Sequence, residues 1–168
     1  PFLANVVLGG GAIQMGGSEE LKKEILPSLI EGTKQVTLAY AEQQSRFDLE
    51  DVATSARLEG DKYIINGQKS MVLNAESADH LVIVTRTNGG QVDEKGITLF
   101  LVDSDTKGLE KQNFPTVDGL RASEITLENV EVSTERMIGD IDKGFEILKA
   151  VSNNGILALC AEAVGAME

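Results

Sequence analysis

The sequence predicts an α+β fragment: an antiparallel β-barrel or two-sheet β-domain with helices on both flanks. Three observations carry this expectation. Apolar residues recur every three or four positions before Gly32 and again after Gly139, but alternate singly from Lys34 onward. Two turn pairs, Gly60-Asp61 and Asn66-Gly67, sit between β-compatible runs and suit the type II′ and type I′ turns of hairpins. No helical stripe returns for about a hundred residues in between. The expected division is 1–32 as the end of a helical domain, 33–138 as the β-domain, and 139–168 as the first helix of a second helical domain.

Taken in order, Phe2 to Gln14 reads as a short buried helix, although each of Gly9, Gly10 and Gly11 costs about 1 kcal/mol relative to Ala in a helix interior. Close packing against another helix would account for them. A phosphate-loop reading of the triplet fails, because no Lys-Ser/Thr follows and no parallel strand precedes. Ser18 is placed to cap a helix over 18–31, with Glu19 and Glu20 in its positively polarised first turn. Leu21, Ile25 and Leu26 form its stripe, and Pro27 is expected to interrupt it before Gly32. Val36, Leu38 and Tyr40 then alternate with Gln35, Thr37 and Ala39. A meander is expected over Ala53–Leu58, Lys62–Ile65 and Gln68–Leu73, followed by strands at His80–Thr87, Gly96–Val102, Gly108–Phe114 and Glu124–Val132. Beyond Gly139, the spacing of Phe145, Leu148, Val151, Ile156, Leu159, Cys160, Ala163, Val164 and Met167 predicts helix over 141–167, either one or two joined near Asn153-Asn154-Gly155. That helix is too apolar to stand free, so it is expected to pack on further helices or on a second subunit. The apolar ends of the chain read as those of a piece of a longer protein.

Composition narrows the function. With 42% apolar and 25% charged residues the chain is an ordinary soluble domain, and a formal net charge of −12 argues against nucleic acid as a partner. No apolar run approaches the roughly 18 to 20 residues that span a bilayer. A single Cys160 excludes an internal disulfide, which suits the cytoplasm. His80, the only histidine, has no metal-ligand spacing around it, and no metal site is expected.

Four landmarks then occur in order: the Gly17-to-Gly32 segment; Gly60-Asp61-x-Tyr63-x-Ile65-Asn66-Gly67-x-Lys69; Gly119-Leu120-Arg121-x-Ser123 before a strand ending at Val130-x-Val132; and Ile138-Gly139 followed by Gly144-Phe145. Together they resemble the acyl-CoA dehydrogenases, flavoenzymes that desaturate acyl-CoA thioesters in fatty-acid β-oxidation and related routes. The runs Ala41-Glu-Gln-Gln-Ser-Arg-Phe-Asp-Leu49 and Leu159-Cys-Ala-Glu-Ala-Val-Gly165 look closest to the small subunit of pimeloyl-CoA-type dehydrogenases.

The resemblance implies FAD as cofactor, an acyl-CoA substrate, electron-transfer flavoprotein or a similar acceptor, and a homo- or hetero-oligomer. It places the flavin against Tyr40, Ala41, Met71, Val72 and Leu73, where the family has a Thr and a Trp-x-Thr triplet in place of Ala41 and Met71-Val72-Leu73. Met71 and Leu73 equally suit core filling. The family's Gly-rich Thr-Glu-Pro-Gly loop is replaced by Ala41 to Asp48, with Phe47 at its substrate-facing Ser. Phe145 and Asn153 fall at positions that approach the acyl chain and the substrate nucleotide, and Phe145 is equally suited to a core. Arg121 is expected to brace the β-domain through a carboxylate. The family's catalytic Glu lies beyond Glu168 or at the position of Gly155, so no catalytic residue is expected within the chain. Two functions follow: a catalytic FAD-dependent subunit, or a non-catalytic structural subunit of a heteromeric dehydrogenase.

Overall fold

The computed structural model describes residues 2–167; Pro1 and Glu168, the outer ends of the two expected helical segments, lie outside the described residues. A wide π-helical stretch, Phe2–Gly10, tightens into α1, Gly11–Gly16, and α2 follows at Glu19–Ile30. The strands are β1 (Val36–Ala39), β2 (Ser55–Glu59), β3 (Lys62–Leu73), β4 (His80–Arg86), β5 (Ile97–Asp103), β6 (Leu109–Pro115), β7 (Arg121–Ser133) and β8 (Met137–Ile138). A 3₁₀ turn at Thr134–Arg136 joins β7 to β8, and α3 spans Gly144–Met167.

The eight strands form one sheet in the order β6-β7-β3-β2-β4-β5-β8, with β1 added beside β4. Its inner face gathers Ala56, Tyr63, Ile65, Leu81, Ile83, Phe100, Val102, Ile125 and Leu127 into one core, in which the Tyr63 and Phe100 rings lie 4.7 Å apart. Val82, Val84, Leu99 and Leu101 point the other way and meet Ile13, Ile25, Leu148 and Val151 of the helices. β4 and β5 are thus apolar on both faces, which is why they read as unbroken apolar runs.

The α+β class stands, with four corrections of detail. The sheet is mixed: β1 pairs with β4 in parallel, from Val36 opposite His80 to Ala39 opposite Ile83, and β2 touches β4 in parallel at Ser55 and Arg86. A parallel neighbour needs a long return path, which residues 40–79, with β2 and β3 among them, supply. The expected turn at Asn66-Gly67 is instead an irregularity inside one continuous strand. β3 runs through it because β7 pairs with it almost throughout, with a register shift between Ile65 and Gly67. Asn66 Oδ1 accepts the Asn129 N–H at 2.8 Å, and a Cβ at Gly67 would sit 2.5 Å from Thr54 Oγ1. The Gly60-Asp61 turn does form, with Gly60 at φ +66° and Glu59 paired to Lys62.

Pro27 does not interrupt α2, which runs on to Ile30; Ser18 caps its start by accepting the Leu21 N–H at 3.2 Å. Within the glycine triplet, Gly10 packs against a helix as expected, a Cβ there lying 3.0 Å from Leu29 of α2, but Gly9 has a different partner. A Cβ on Gly9 would lie 2.5 Å from Val36 O, so the first helix rides on the backbone of strand β1, where Asn5 Oδ1 accepts the Val36 N–H at 2.7 Å.

α3 is a single helix through Asn153-Asn154-Gly155. Gly155 is tolerated because it faces Leu8 and Leu3 of the first helix, leaving 3.0 Å from a would-be Cβ to Leu8. By length and composition alone α3 is long and apolar enough to cross a membrane, contrary to the expectation that no apolar run approaches such a span. Its first half packs into the domain through Phe145, Leu148 and Val151, whereas Ile156, Leu157, Leu159, Val164 and Met167 are exposed.

Candidate functional site

Two segments far apart in sequence run side by side along one seam. Thr37 Oγ1 donates to Leu73 O at 2.6 Å, and Ser70 N donates to Ala41 O at 2.8 Å. The residues expected at the flavin, Tyr40 and Ala41 on one segment and Met71, Val72 and Leu73 on the other, are therefore neighbours. The strand is irregular here: register slips between Lys69 and Val72, and Met71 adopts φ +53°. Such a conformation is unfavourable for a side chain with a Cβ and persists only where surroundings enforce it. Glu124 supplies that constraint, its Oε1 accepting from Ser70 Oγ at 2.9 Å and from Met71 N at 3.2 Å. Met71 is half exposed and Tyr40 is 37% exposed, while Val72 is buried and Ala41 and Leu73 are partly covered. Two of the five thus present apolar surface outward, and Val72 belongs to the inner core.

Beneath the seam lies a pair that sequence reading did not assign. Lys69 is fully buried, and its Nζ reaches Glu42 Oε1 at 2.6 Å and Tyr40 O at 3.4 Å. Glu42 also accepts from Ala53 N at 2.8 Å, Thr54 N at 3.1 Å and Gln44 Nε2 at 2.7 Å. A buried charge is tolerable only when paired and hydrogen-bonded in this way. Burial pushes the Lys69 ammonium down to about 8, against the pull of Glu42. Burial pushes the Glu42 carboxyl up, but the Lys69 charge and its hydrogen-bond donors outweigh that and hold it below its ordinary range. The one sequence signal for the pair was a lysine set in the apolar alternation of β3. A polar cavity of about 410 Å³ opens beside it, lined by Gln44, Thr54, Ser70 and Glu124 among others.

A second buried cation orders the loops behind the seam. Arg86, at the end of β4, donates to five backbone carbonyls: Glu50, Gln91 and Asp93 at 2.7 Å, Lys95 at 2.8 Å and Val52 at 3.4 Å. Burial lowers its guanidinium, opposed by Asp93, Glu42 and Asp51. Two loops, 50–52 and 91–95, are thereby tied to one side chain. The second of them forms one wall of a cleft of about 750 Å³ whose other wall is Ile141, Asp142, Lys143, Phe145 and Glu146 at the start of α3.

The remaining expected residues are dispersed. Phe47 is 96% exposed on the 42–51 loop. Phe145 borders the cleft but is 7% exposed and belongs to the helix-side core. Asn153 is exposed on α3, about 12 Å farther along the helix axis at roughly 1.5 Å per residue. Arg121 braces the domain as expected, through Glu76 at 2.5 Å and 3.2 Å. His80 Nδ1 lies 2.8 Å from Asp103 Oδ1. Among the described residues, no group of three or more His, Cys, Asp or Glu is arranged to hold a metal ion.

Residues 37–130 match the acyl-CoA dehydrogenase middle-domain family. Cyclohex-1-ene-1-carbonyl-CoA dehydrogenase of Geobacter metallireducens is 37% identical over 155 residues, which is 89% of this chain and 40% of the relative. The caffeyl-CoA reductase-Etf complex subunit CarC of Acetobacterium woodii is 29% identical over 161 residues, 94% of this chain and 42% of that one. The solved structure of butyryl-CoA dehydrogenase from Megasphaera elsdenii superposes with a TM-score of 0.89 at 28% identity, over 97% of this chain and 43% of its own. The chain therefore spans about two fifths of the length of the relatives it matches.

Proposed function

The chain belongs to the acyl-CoA dehydrogenase family, and we propose that the protein it forms part of is an FAD-dependent acyl-CoA dehydrogenase subunit, desaturating a thioester between its α and β carbons. The observation that carries this reading is the seam: Tyr40-Ala41 laid against Met71-Val72-Leu73 and pinned from below by Lys69 and Glu42. Bound FAD would supply a hydride acceptor. In this chain, Tyr40 and Met71 would give it an apolar contact, and main-chain groups of 40–41 and 71–73 would hold it. The lock on Lys69 keeps those main-chain groups in place before any ligand arrives, which is how a site avoids reorganisation at the moment of reaction. Phe47, Phe145 and Asn153 are the substrate-side residues under this reading, with Phe145 acting from the wall of the cleft.

The base for the α-proton would come from outside the chain. Position 155, the family's alternative place for the base, carries a glycine packed against the Leu8 side chain and so offers no carboxylate. Glu162 is about 10.5 Å farther along the axis, beyond the reach of a general base. We retain the division at 32/33 and 138/139, a cytoplasmic setting, an electron-transfer flavoprotein or similar acceptor, and an oligomer that covers the exposed end of α3. The second reading, a structural subunit whose companion is catalytic, is favoured by Ala41, Leu73 and Gly155, which lack the hydroxyls and the carboxylate of the family pattern. Closeness to pimeloyl-CoA-type small subunits belongs with it.

The test is the visible spectrum and dye-coupled turnover of the full-length chain with an acyl-CoA, alone and with its co-encoded partner. A flavin spectrum with turnover by the chain alone that survives Glu162→Gln supports the first reading. Turnover only with the partner supports the second. Loss of turnover in Glu162→Gln would contradict the placement of the base.

A further inference from the structure

Three Asn-Gly pairs occur in the chain: Asn66-Gly67, Asn88-Gly89 and Asn154-Gly155. In each, the nitrogen of the glycine can in principle attack the asparagine carboxamide, because glycine has no side chain to crowd the approach. The fold treats the three differently. Asn66 is in β3, with its carboxamide oxygen held by Asn129 N at 2.8 Å and Gly67 pressed against Thr54. Asn154 is within α3, and Gly155 is buried against Leu8. Asn88 and Gly89 lie in the exposed β4–β5 loop, and there the Gly89 N–H already donates to Asn88 Oδ1 at 2.8 Å. The attacking nitrogen and the carboxamide are in contact with no neighbouring element to hold them apart.

We propose that Asn88 is a site of spontaneous deamidation, and that the reaction switches the charge on the rim of the cleft. The Gly89 nitrogen loses its proton and bonds to Asn88 Cγ; the carboxamide nitrogen leaves as ammonia, taking up that proton. Water then opens the cyclic imide at either carbonyl, leaving aspartate or isoaspartate. The balance needs water alone and no oxidant.

The loop geometry keeps the pair in place between events. Asn88 N is anchored to Gly96 O at 3.3 Å, Thr87 N to the same oxygen at 2.8 Å, and Gly90 N to Asp93 Oδ2 at 2.7 Å. Asn88 lines the cleft together with the acids Asp93, Glu94, Asp142 and Glu146 and the bases Lys95 and Lys143. A carboxylate at 88 adds a fifth acid opposite two lysines, which disfavours an anionic ligand. This last consequence rests on the proposed acyl-CoA reading; the modification itself does not.

The experiment ages the full-length protein at mildly alkaline pH, digests it under acid conditions, and follows the amide-to-acid mass change in each Asn-Gly peptide. Asn88 should convert roughly tenfold or more faster than Asn66 and Asn154, since strand or helix must open locally before either can react. Asn88→Gln should abolish the change in its peptide, because the longer side chain disfavours ring closure. Conversion of Asn66 or Asn154 as fast as Asn88 would overturn the proposal. Separately, Asn88→Asp should raise KM for acyl-CoA; if mapping succeeds and KM stays constant, the cleft is not the substrate's path and only that reading falls.

Discussion

Lys69 and Arg86 are both buried cations in the same sheet, yet the fold satisfies them in opposite ways. Lys69 meets a carboxylate, Glu42, so its charge is cancelled locally and the pair clamps two chain segments together. Arg86 donates every hydrogen bond to a carbonyl, five of them from two loops, with Asp93, Glu42 and Asp51 acting on its charge only from a distance, and its planar fork acts as a template. The seam is held by charge and the cleft wall by geometry. Each can therefore be broken by a different kind of substitution.

The largest effect should come from Lys69→Met in the full-length protein. It strands a buried carboxylate, and breaking a buried pair from one side costs about 3–5 kcal/mol by chemical denaturation. Adding Glu42→Gln should recover part of the loss, since Gln removes the charge and keeps one of the two oxygens that accept from Ala53 N and Thr54 N. Equal loss in both variants would mean that packing, not charge, holds the seam.

The same lysine predicts a pH signature. Its ordinary pKa of 10.5 is lowered to about 8 in the fold. Between those values the unfolded chain carries a proton that the folded chain has released, so stability due to this group rises with pH across that window. Below pH 8 the cost of charging the buried amine is fully present. The stability difference between wild type and Lys69→Met should thus grow from pH 8 to 10.5; a flat difference would contradict the lowered value. Glu42 acts on the acid side, where the stability it contributes is lost as pH falls through its depressed pKa.

Arg86→Lys should cost less, about 2–3 kcal/mol. An ammonium has three donors and no fork, so at least two of the five carbonyls lose their partner. The loss should appear as protease sensitivity in 91–95 with the seam intact. Simultaneous loss of seam and cleft would show that the two regions are one unit.

The contrast also explains what was legible in the sequence. Alternation located β1, β-compatible runs between turn residues located the later strands, and Gly60-Asp61 marked a real turn, because these signals are local. Asn66-Gly67 misled for the same reason: its local turn preference is overridden by nine residue pairs between β7 and β3 on both sides of it. The parallel partner of β1 leaves no local mark. Tyr40, Ala41 and Met71 to Leu73 were assigned to a flavin through family resemblance, and the fold makes them neighbours. Glu42 and Lys69 were passed over because a charge in a loop or a strand ordinarily reads as a solvent-facing residue, and their pairing spans 27 positions. The five ligands of Arg86 are main-chain atoms, which no residue identity can announce. Phe145 was assigned toward substrate, while its ring is mostly spent on the helix-side core.

The smallest expected effect tests the central claim most directly, that the seam is a flavin wall lacking the family's side-chain hydrogen bonds. Isothermal titration of the full-length apo-protein with FAD should show tighter binding for Ala41→Thr and for Leu73→Thr than for wild type, by about 0.5–1.5 kcal/mol for each hydrogen bond restored. Equal affinities in all three proteins would contradict it.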